Sequence, residues 1–510
     1  MYKLLLSWRY LLSRFIALAS VISVMLGVAT MIVVNAVMLG FTSEMKDRIQ
    51  GILSDVIFES RDINKGFAHY EWHRERILDA AGDMIEELTP IAYTPGMLMY
   101  RIGGTGEPVS FLVDIVGIDV LTQTKVSRLA SYLQHPENRK QLSFDLRDEG
   151  YDVRGDGGEG PYREMMKYAG WGWRRYWAAK AKSQKSQDSP SLHTEEQPSD
   201  FFSEFQDERA VFDPAKEQHT GIIVGIGISI MNRESAVAPE TGKKIVVDDL
   251  ALLPGEDVRL SFPTADLKLE FQSDSFTVVE LYESKMAEYD RKMVFVPLEK
   301  LQRLRGMIDA ESGTFTTTRI LIKAKPGVDI KELRDQLRKA FPPQIYSINT
   351  WRDDQKPLLD AVATELAMLN VILFMSFAVA GFGILAIFYM IVIEKQKDIG
   401  IMKALGASSG GVMQIFLYYS LCLGILGSAL GLGLGLLIVR HIREIAVVLS
   451  YVLKRDIFSP EIYSFPEIPA IVDVPTVIAV IVGAIFIAAA AGVLPALRAA
   501  RVHPVETLRS

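Results

Sequence analysis

The sequence predicts an α-helical membrane protein with four transmembrane helices and a large α+β extracytoplasmic domain inserted between helices 1 and 2. Three observations carry this reading. Residues 15–43 and 366–393 contain no charged residue, and about 20 consecutive apolar residues suffice to cross a bilayer core. Residues 411–440, uncharged as far as Arg440, and 475–497 have the same character. Between the first two apolar runs, residues 44–365 instead carry short alternating segments separated by turn residues. The composition agrees: 49% hydrophobic residues and a mean hydropathy of +0.18 are high for a soluble chain.

Residues 1–14 hold Lys3, Arg9 and Arg14 and no acid, the mark of an amphipathic cytoplasmic N-terminus. Ala17, Leu18 and Ala19 imitate a cleavage site, but the apolar run is too long for a signal peptide, so an uncleaved signal anchor is expected. Phe41, Met45, Ile49 and Ile52 recur at helical spacing among charged residues, which extends the first helix outward as a stalk. Leu358, Leu359, Val362 and Leu366 form a matching stalk before the second span. In between, GIIVGIGISI (221–230), DVRLSF (257–262), SFTVVELY (275–282), MVFVPL (293–298) and TRILIKAK (318–325) read as strands. VDIKELRDQLRKAF (328–341) reads as a helix, with Asp329 and Glu332 as its capping pair and Ile330, Leu333, Leu337 and Phe341 on its buried face.

Residues 135–218, rich in Gly, Ser, Gln and charge, read as a flexible insertion. Within it Trp171, Trp173, Arg174, Arg175 and Trp177 either meet a membrane surface or partner, or fold onto the insertion itself. Orientation follows from the positive charges. Lys395, Lys397 and Lys403 place the 394–410 segment in the cytoplasm, and Arg498, Arg501 and Arg509 place the 498–510 tail there too. The 44–365 domain and the 441–474 loop then lie on the other side.

Several function classes lack their chemistry. The net charge of −7 gives no support to nucleic-acid binding. No phosphate loop occurs: TGKK (241–244) has Val237 where the upstream glycine belongs and Lys244 in place of the hydroxyl residue. The chain is therefore not expected to be an enzyme or to bind a cofactor. The seven histidines show no zinc spacing, so no metal is expected. GASSG (406–410) has the GxSxG form, but helical segments flank it rather than the strand that a catalytic Ser408 requires. The spans carry essentially no ionisable residue, which disfavours a channel or ion-coupled carrier. The single cysteine, Cys422, falls in the third span and reads as a small apolar residue.

What the spans do carry is small residues at packing distance. Gly427, Gly431 and Gly435 form two GxxxG steps in the third span, and Ala484, Ala488 and Gly492 a similar ridge in the fourth. The readings are packing among spans 2 to 4, or a dimer seam. Between spans 2 and 3 lies EKQKDIGIMKALGASS (394–409), a short amphipathic helix. Asp398 is expected to cap it, Ile399, Met402 and Leu405 to share one stripe, Gly406 to close it in a left-handed conformation, and Ser408 or Ser409 to cap the next helix. Such a helix can lie on lipid headgroups, pack under its own bundle, or enter a partner's groove.

The run WRDDQKPLLDAVATELAMLNVILFMSFAVAGFGILAIFYMIVIEKQKDIGIMKALGASSGGVMQIFLYYS from Trp351, with the ending PALRAARVHPVETLRS, resembles the FtsX/MacB-type permease superfamily of ABC transporters. MYKLLLSWRYLLSR and FTVVELYESKMAEYDRKMVFVPLEKLQRL (276–304) are most similar to its lipoprotein-releasing, LolC/LolE-type members. The likeness spans roughly residues 1–60, 88–120, 220–325 and 350–510. It implies an inner-membrane permease subunit, its large domain periplasmic, that extracts or releases lipoproteins by mechanotransmission. ATP would be hydrolysed by a separate ABC ATPase gripping Glu394, Lys395, Asp398, Ile399, Met402, Leu405 and Gly406. A second permease copy or paralogue, membrane lipids, a lipoprotein substrate and a periplasmic carrier are the further implied partners. Two features depart from the pattern: the segment Thr264–Ser275 is short and lacks a proline-rich tip, and residues 135–218 are inserted. The alternatives are export of another amphiphile or peptide, and a non-transporting transmitter that regulates a cell-wall hydrolase.

Overall fold

The protein is seen in a computed structural model that describes residues 15–52, 54–62, 66–102, 106–151, 162–187, 212–237, 244–265, 270–309, 313–453 and 468–501. The expected N-terminal segment 1–14, the tail beyond Arg501 and the middle of the insertion lie outside these. The chain opens with helix α1 (Phe15–Ile52), strand β1 (Val56–Ser60), α2 (Tyr70–Ala81), β2 (Ile85–Arg101), β3 (Pro108–Ile118), α3 (Val120–Val126) and α4 (Trp171–Gln187). There follow β4 (Thr220–Gly225), β5 (Ile230–Val237), β6 (Lys244–Leu250), β7 (Asp257–Pro263), β8 (Phe271–Tyr282), β9 (Met293–Pro297), α5 (Leu298–Arg305), β10 (Arg319–Ala324), α6 (Ile330–Ala340) and β11 (Tyr346–Thr350). The last elements are α7 (Lys356–Glu394), α8 (Gln396–Ala404), α9 (Ser409–Arg440), α10 (Ile442–Leu453) and α11 (Val474–Ala500). The described chain divides into two compact units, with boundaries at Lys46/Asp47 and Gln355/Lys356.

In the first unit, α1, α7, α9 and α11 are the four helices long and apolar enough to cross a membrane. α1 and α7 each extend beyond the apolar runs, as the stalk spacing predicts. α9 is the common neighbour of α1 and α11. The 441–474 segment, read as a loop, contains α10.

The second unit is built on one sheet in the order β11-β1-β10-β2-β3-β9-β4-β8-β7. Its first four strands are all antiparallel, and β1-α2-β2 and β10-α6-β11 make a split βαβ pair of ferredoxin-like form. Phe58, Ile320 and Ile322 pack on one face with Ile77 of α2 and Leu333 and Leu337 of α6. Ile57 and Leu321 point to the other face, beside Val126 of α3 and Leu133. Burial on both faces explains why β10 reads as a nearly continuous apolar run. Asp329 caps α6 as expected, accepting from the Lys331 N–H at 2.9 Å.

The stretch from β3 to α5 interrupts that pair, and β2 serves both parts. Its second half pairs with β3 along its whole length and with β7 at Met97–Met99, so β2-β3-β9-β4-β8-β7 closes on itself. Leu98, Ile115, Val224, Leu260, Val278 and Val294 belong to the buried cluster of this part. Gly96 permits the closure, because a Cβ there would stand 2.5 Å from the Ile115 Cδ1 and 2.8 Å from the Ser261 carbonyl.

Two expectations change in this unit. The run 221–230 is not one strand: residues 226–229 form a helical turn between β4 and β5, where Gly225 and Gly227 allow the backbone close to Asp290. Nor are the described flanks of the 135–218 insertion loose. Tyr151 is buried and donates to the Val279 carbonyl at 2.7 Å. Arg174 of α4 is buried on Asp257 at 2.7 Å and on the carbonyls of Gly255 and Glu217. Trp173 donates to Glu256 at 3.0 Å. Trp171, Trp173 and Arg174 of the aromatic and basic cluster thus fold onto their own domain, whereas Arg175 stays exposed. Composition marks Tyr151, Trp173 and Arg174 as solvated, whereas each is hydrogen-bonded to a partner distant in sequence.

Burial raises the carboxyls of Asp290, Glu280 and Glu256 each to about 7, against the hydrogen bonds they accept. Unfolded carboxyls ionise near pH 4. Between roughly pH 4 and 7 the folded domain therefore keeps protons that the unfolded chain has released, and its stability falls as pH rises through that window. Asp290 Oδ1 accepts from both the backbone N–H and the hydroxyl of Ser284, and an asparagine oxygen can replace it. Asp290→Asn is expected to flatten the decline by up to about 1.4 kcal/mol per pH unit, measured by denaturation of the full chain at pH 5, 6, 7 and 8. An unchanged pH profile would contradict the assignment.

Candidate functional site

The segment between the second and third apolar helices is almost an unbroken continuation of α7. Only Lys395 leaves helical geometry, and the Ile399 N–H already bonds the Lys395 carbonyl at 2.9 Å. Lys395, not Asp398, therefore holds the N-cap position of α8, and no side chain caps the helix. Asp398 lies in the first turn, pairs with the Lys395 ammonium and favours the positive end of the helix. At the other end Gly406 is left-handed, with φ +98. The Ala407 N–H reaches the Met402 carbonyl at 3.0 Å and the Gly406 N–H reaches Lys403 at 3.1 Å, the pair of bonds of a Schellman cap. The Ser408 hydroxyl oxygen then accepts from the Gly411 N–H at 3.1 Å and caps α9. That local role accounts for the serine in GASSG.

The expected stripe of Ile399, Met402 and Leu405 is split. Ile399 is 1% exposed, in a cluster with Val392, Val412, Ala496 and Ala499, and Met402 packs on its edge. Leu405 is 84% exposed. Each three-residue step falls about 60° short of a full helical turn, so two steps carry Leu405 off the inner face. It stands instead beside Ile401, four residues earlier and 47% exposed. Glu394 and Lys397 lie on this same outer face. Ile401 was not singled out from the sequence, although its i,i+4 spacing to Leu405 was the available signal.

α8 is also tied sideways. Lys403 donates to the Ala500 carbonyl at the end of α11, at 2.8 Å, where a cation suits the negative end of the helix. Arg498 lies over the Tyr389 ring at 4.4 Å, joining α11 to α7.

The small residues set how closely the helices approach. A Cβ at Gly427 would stand 2.6 Å from the Val24 Cβ, and one at Gly431 would stand 2.7 Å from the Met25 carbonyl and the Val28 Cβ. At Gly435 it would meet Ile32 at 3.2 Å. This ridge therefore faces α1 inside the same chain, rather than spans 2 or 4. α11 packs on a different face of α9, where Ala488 meets Gly424 and Gly492 meets Ser420. Among the described residues, no group of three His, Cys, Asp or Glu side chains could hold a metal ion.

Residues 370–504 match the family described as FtsX-like permease C-terminal. The chain is 26% identical to the lipoprotein-releasing system transmembrane protein LolC of Xylella fastidiosa over 46% of its own length and 55% of that protein. To LolC of Neisseria meningitidis serogroup B it is 25% identical, over 56% of this chain and 64% of the relative. To the macrolide export ATP-binding/permease protein MacB of Bdellovibrio bacteriovorus it is 28% identical, over 37% and 27%. The alignments thus cover between half and two thirds of these two LolC proteins. The chain is similar to FtsX/MacB-type ABC permeases, with LolC-type proteins among its relatives.

The glycine ridge carries its own control. Gly431→Ala is expected to destabilise the bundle by about 1–3 kcal/mol, lowering the melting temperature in detergent. Gly433→Ala, whose added Cβ meets nothing within 4 Å, should leave it unchanged or slightly raised by helix propensity. Equal effects of the two would contradict the close approach of α9 to α1.

Proposed function

We propose that this chain is the membrane-spanning subunit of an ABC transporter, works by mechanotransmission, and extracts or releases lipoproteins at the inner membrane. The observation that carries the reading is the outer face of α8. Ile401 and Leu405 are exposed on a helix whose opposite face is anchored under the bundle, within the part matched by the FtsX-like permease family. An apolar pair flanked by Glu394 and Lys397 suits a groove on a cytoplasmic ATPase. ATP is then bound and hydrolysed by that partner. Ile399, Met402 and Gly406 act by seating α8, Lys395 and Asp398 by pairing at its start, and Glu394 and Leu405 by contact.

In this reading the termini and residues 394–410 are cytoplasmic and the large domain periplasmic, which the lysines and arginines at the cytoplasmic edges support. A second copy or a paralogue completes the transporter. Lipoprotein as the substrate rests on similarity to LolC proteins. A second reading, export of another amphiphile or peptide, is favoured by the similarity to a macrolide export protein and by the hairpin of β7 and β8. Its short connection, residues 264–270, leaves little to recruit a periplasmic carrier.

Ile401→Asp combined with Leu405→Asp tests the contact. The double variant should lose co-purification with its ABC ATPase by at least about tenfold, as expected for loss of anchor residues worth 2 kcal/mol or more, while keeping the wild-type melting temperature. Undiminished co-purification would remove α8 as the docking element. Depletion of the protein then separates the substrates: lipoproteins retained in the inner membrane support the first reading, and normal sorting supports the second.

A further inference from the structure

Among the described residues of the unit formed by the sheet, Arg305 is a buried cation with no ion pair. Arg305, the last residue of α5, is 1% exposed. Its Nε donates to the Pro263 carbonyl at 3.1 Å, and its Nη1 to the Tyr93 carbonyl at 3.3 Å and the Met307 sulfur at 3.4 Å. Among the described residues no carboxylate pairs with it, and Nη2 has no partner. Carbonyl dipoles offset only part of the cost of taking a guanidinium out of water, and an uncompensated buried charge is normally avoided. Burial lowers its pKa to about 10, which still leaves it charged at neutral pH.

Arg305 lines a cleft of about 620 Å³ with Arg61, Asp62, Tyr93, Thr94, Pro95 and Pro263. The nearby acids on the sheet are engaged elsewhere: Asp114 accepts from the Tyr93 hydroxyl at 2.7 Å, and Glu59 pairs with Arg319 at 2.6 Å. At the mouth Arg61 is exposed and uses its Nε on the Pro343 carbonyl at 2.7 Å. Asp62 is exposed on the same rim, which weighs against a polyanion.

We infer that this cleft binds a small oxyanion, a phosphate or carboxylate group, with Arg305 Nη2 at its floor and Arg61 at its mouth. Ionised donors make the stronger hydrogen bonds to such groups, and guanidinium suits them by shape. The site lies outside the helices that carry the proposed function and does not depend on that reading.

The test is titration of the full-length protein in nonionic detergent with inorganic phosphate, glycerol 3-phosphate and acetate. Each is compared with chloride at equal ionic strength, by calorimetry and thermal shift. At least one probe should bind saturably. Arg305→Met should weaken it by about tenfold, the value of one hydrogen bond to a charged group, with an unliganded melting temperature no lower than wild type. Arg61→Glu, at an exposed position, should also weaken binding, and it decides the matter should Arg305→Met fail to fold. Tighter binding of glycerol 3-phosphate than of phosphate identifies a lipid headgroup as the source, and the reverse order a free anion; both uphold the site. No binding beyond the chloride control, or binding that Arg61→Glu leaves unchanged, overturns it.

Discussion

The membrane-spanning unit depends on a helix face without side chains. Gly427, Gly431 and Gly435 let the backbone of α9 lie against Val24, Val28 and Ile32 of α1. In lipid, where apolar burial offers little drive for helices to associate, contact at this distance is what holds them together. Gly424 and Ser420 do the same on another face of α9, toward α11. A helix fixed on two sides in this way has little freedom to tilt alone. α8 joins α9 through two linked caps, Gly406 and Ser408, and is seated by Ile399 in the cluster that includes α11 residues. α8 is therefore joined to the bundle through capped helix ends and buried packing rather than through a long loop, the connection that the proposed mechanical coupling would need.

The sheet unit obeys a different constraint. β2 is paired on one side with β3, and on the other first with β10 and then with β7. A single strand thereby belongs to a ferredoxin-like sandwich and to a closed set of six strands. Gly96 marks the point where the second closes, and Arg163, paired with the buried Asp248, and Arg174, paired with Asp257, fasten the described flanks of the insertion. Glu256, Glu280 and Asp290 remain costly to ionise for the same reason: they are enclosed.

Much of this was legible in the sequence because it rests on local rules. Uninterrupted apolar length marks the four spans, alternating or continuous apolar runs bounded by turn residues mark β7 to β10, and Asp329, Gly406 and Ser408 act at caps through neighbours three or fewer residues away. What was not legible depends on distant partners. Gly431 announces close packing but not that Met25 and Val28 are what it meets. Arg174 looks like a solvated charge until Asp257 is beside it. Leu405 was misplaced for another reason: a three-residue repeat drifts around a helix, and the inner face ends at Met402.

The central claim is that the outer face of α8 is where this chain receives work. Photocrosslinking from a benzophenone side chain at position 405, in cells, with the adducts identified by mass spectrometry, tests it most directly. The account predicts an adduct with an ABC ATPase subunit, absent when the probe is moved to the buried position 399. Adducts with lipid alone, or with no ATPase among them, would contradict it.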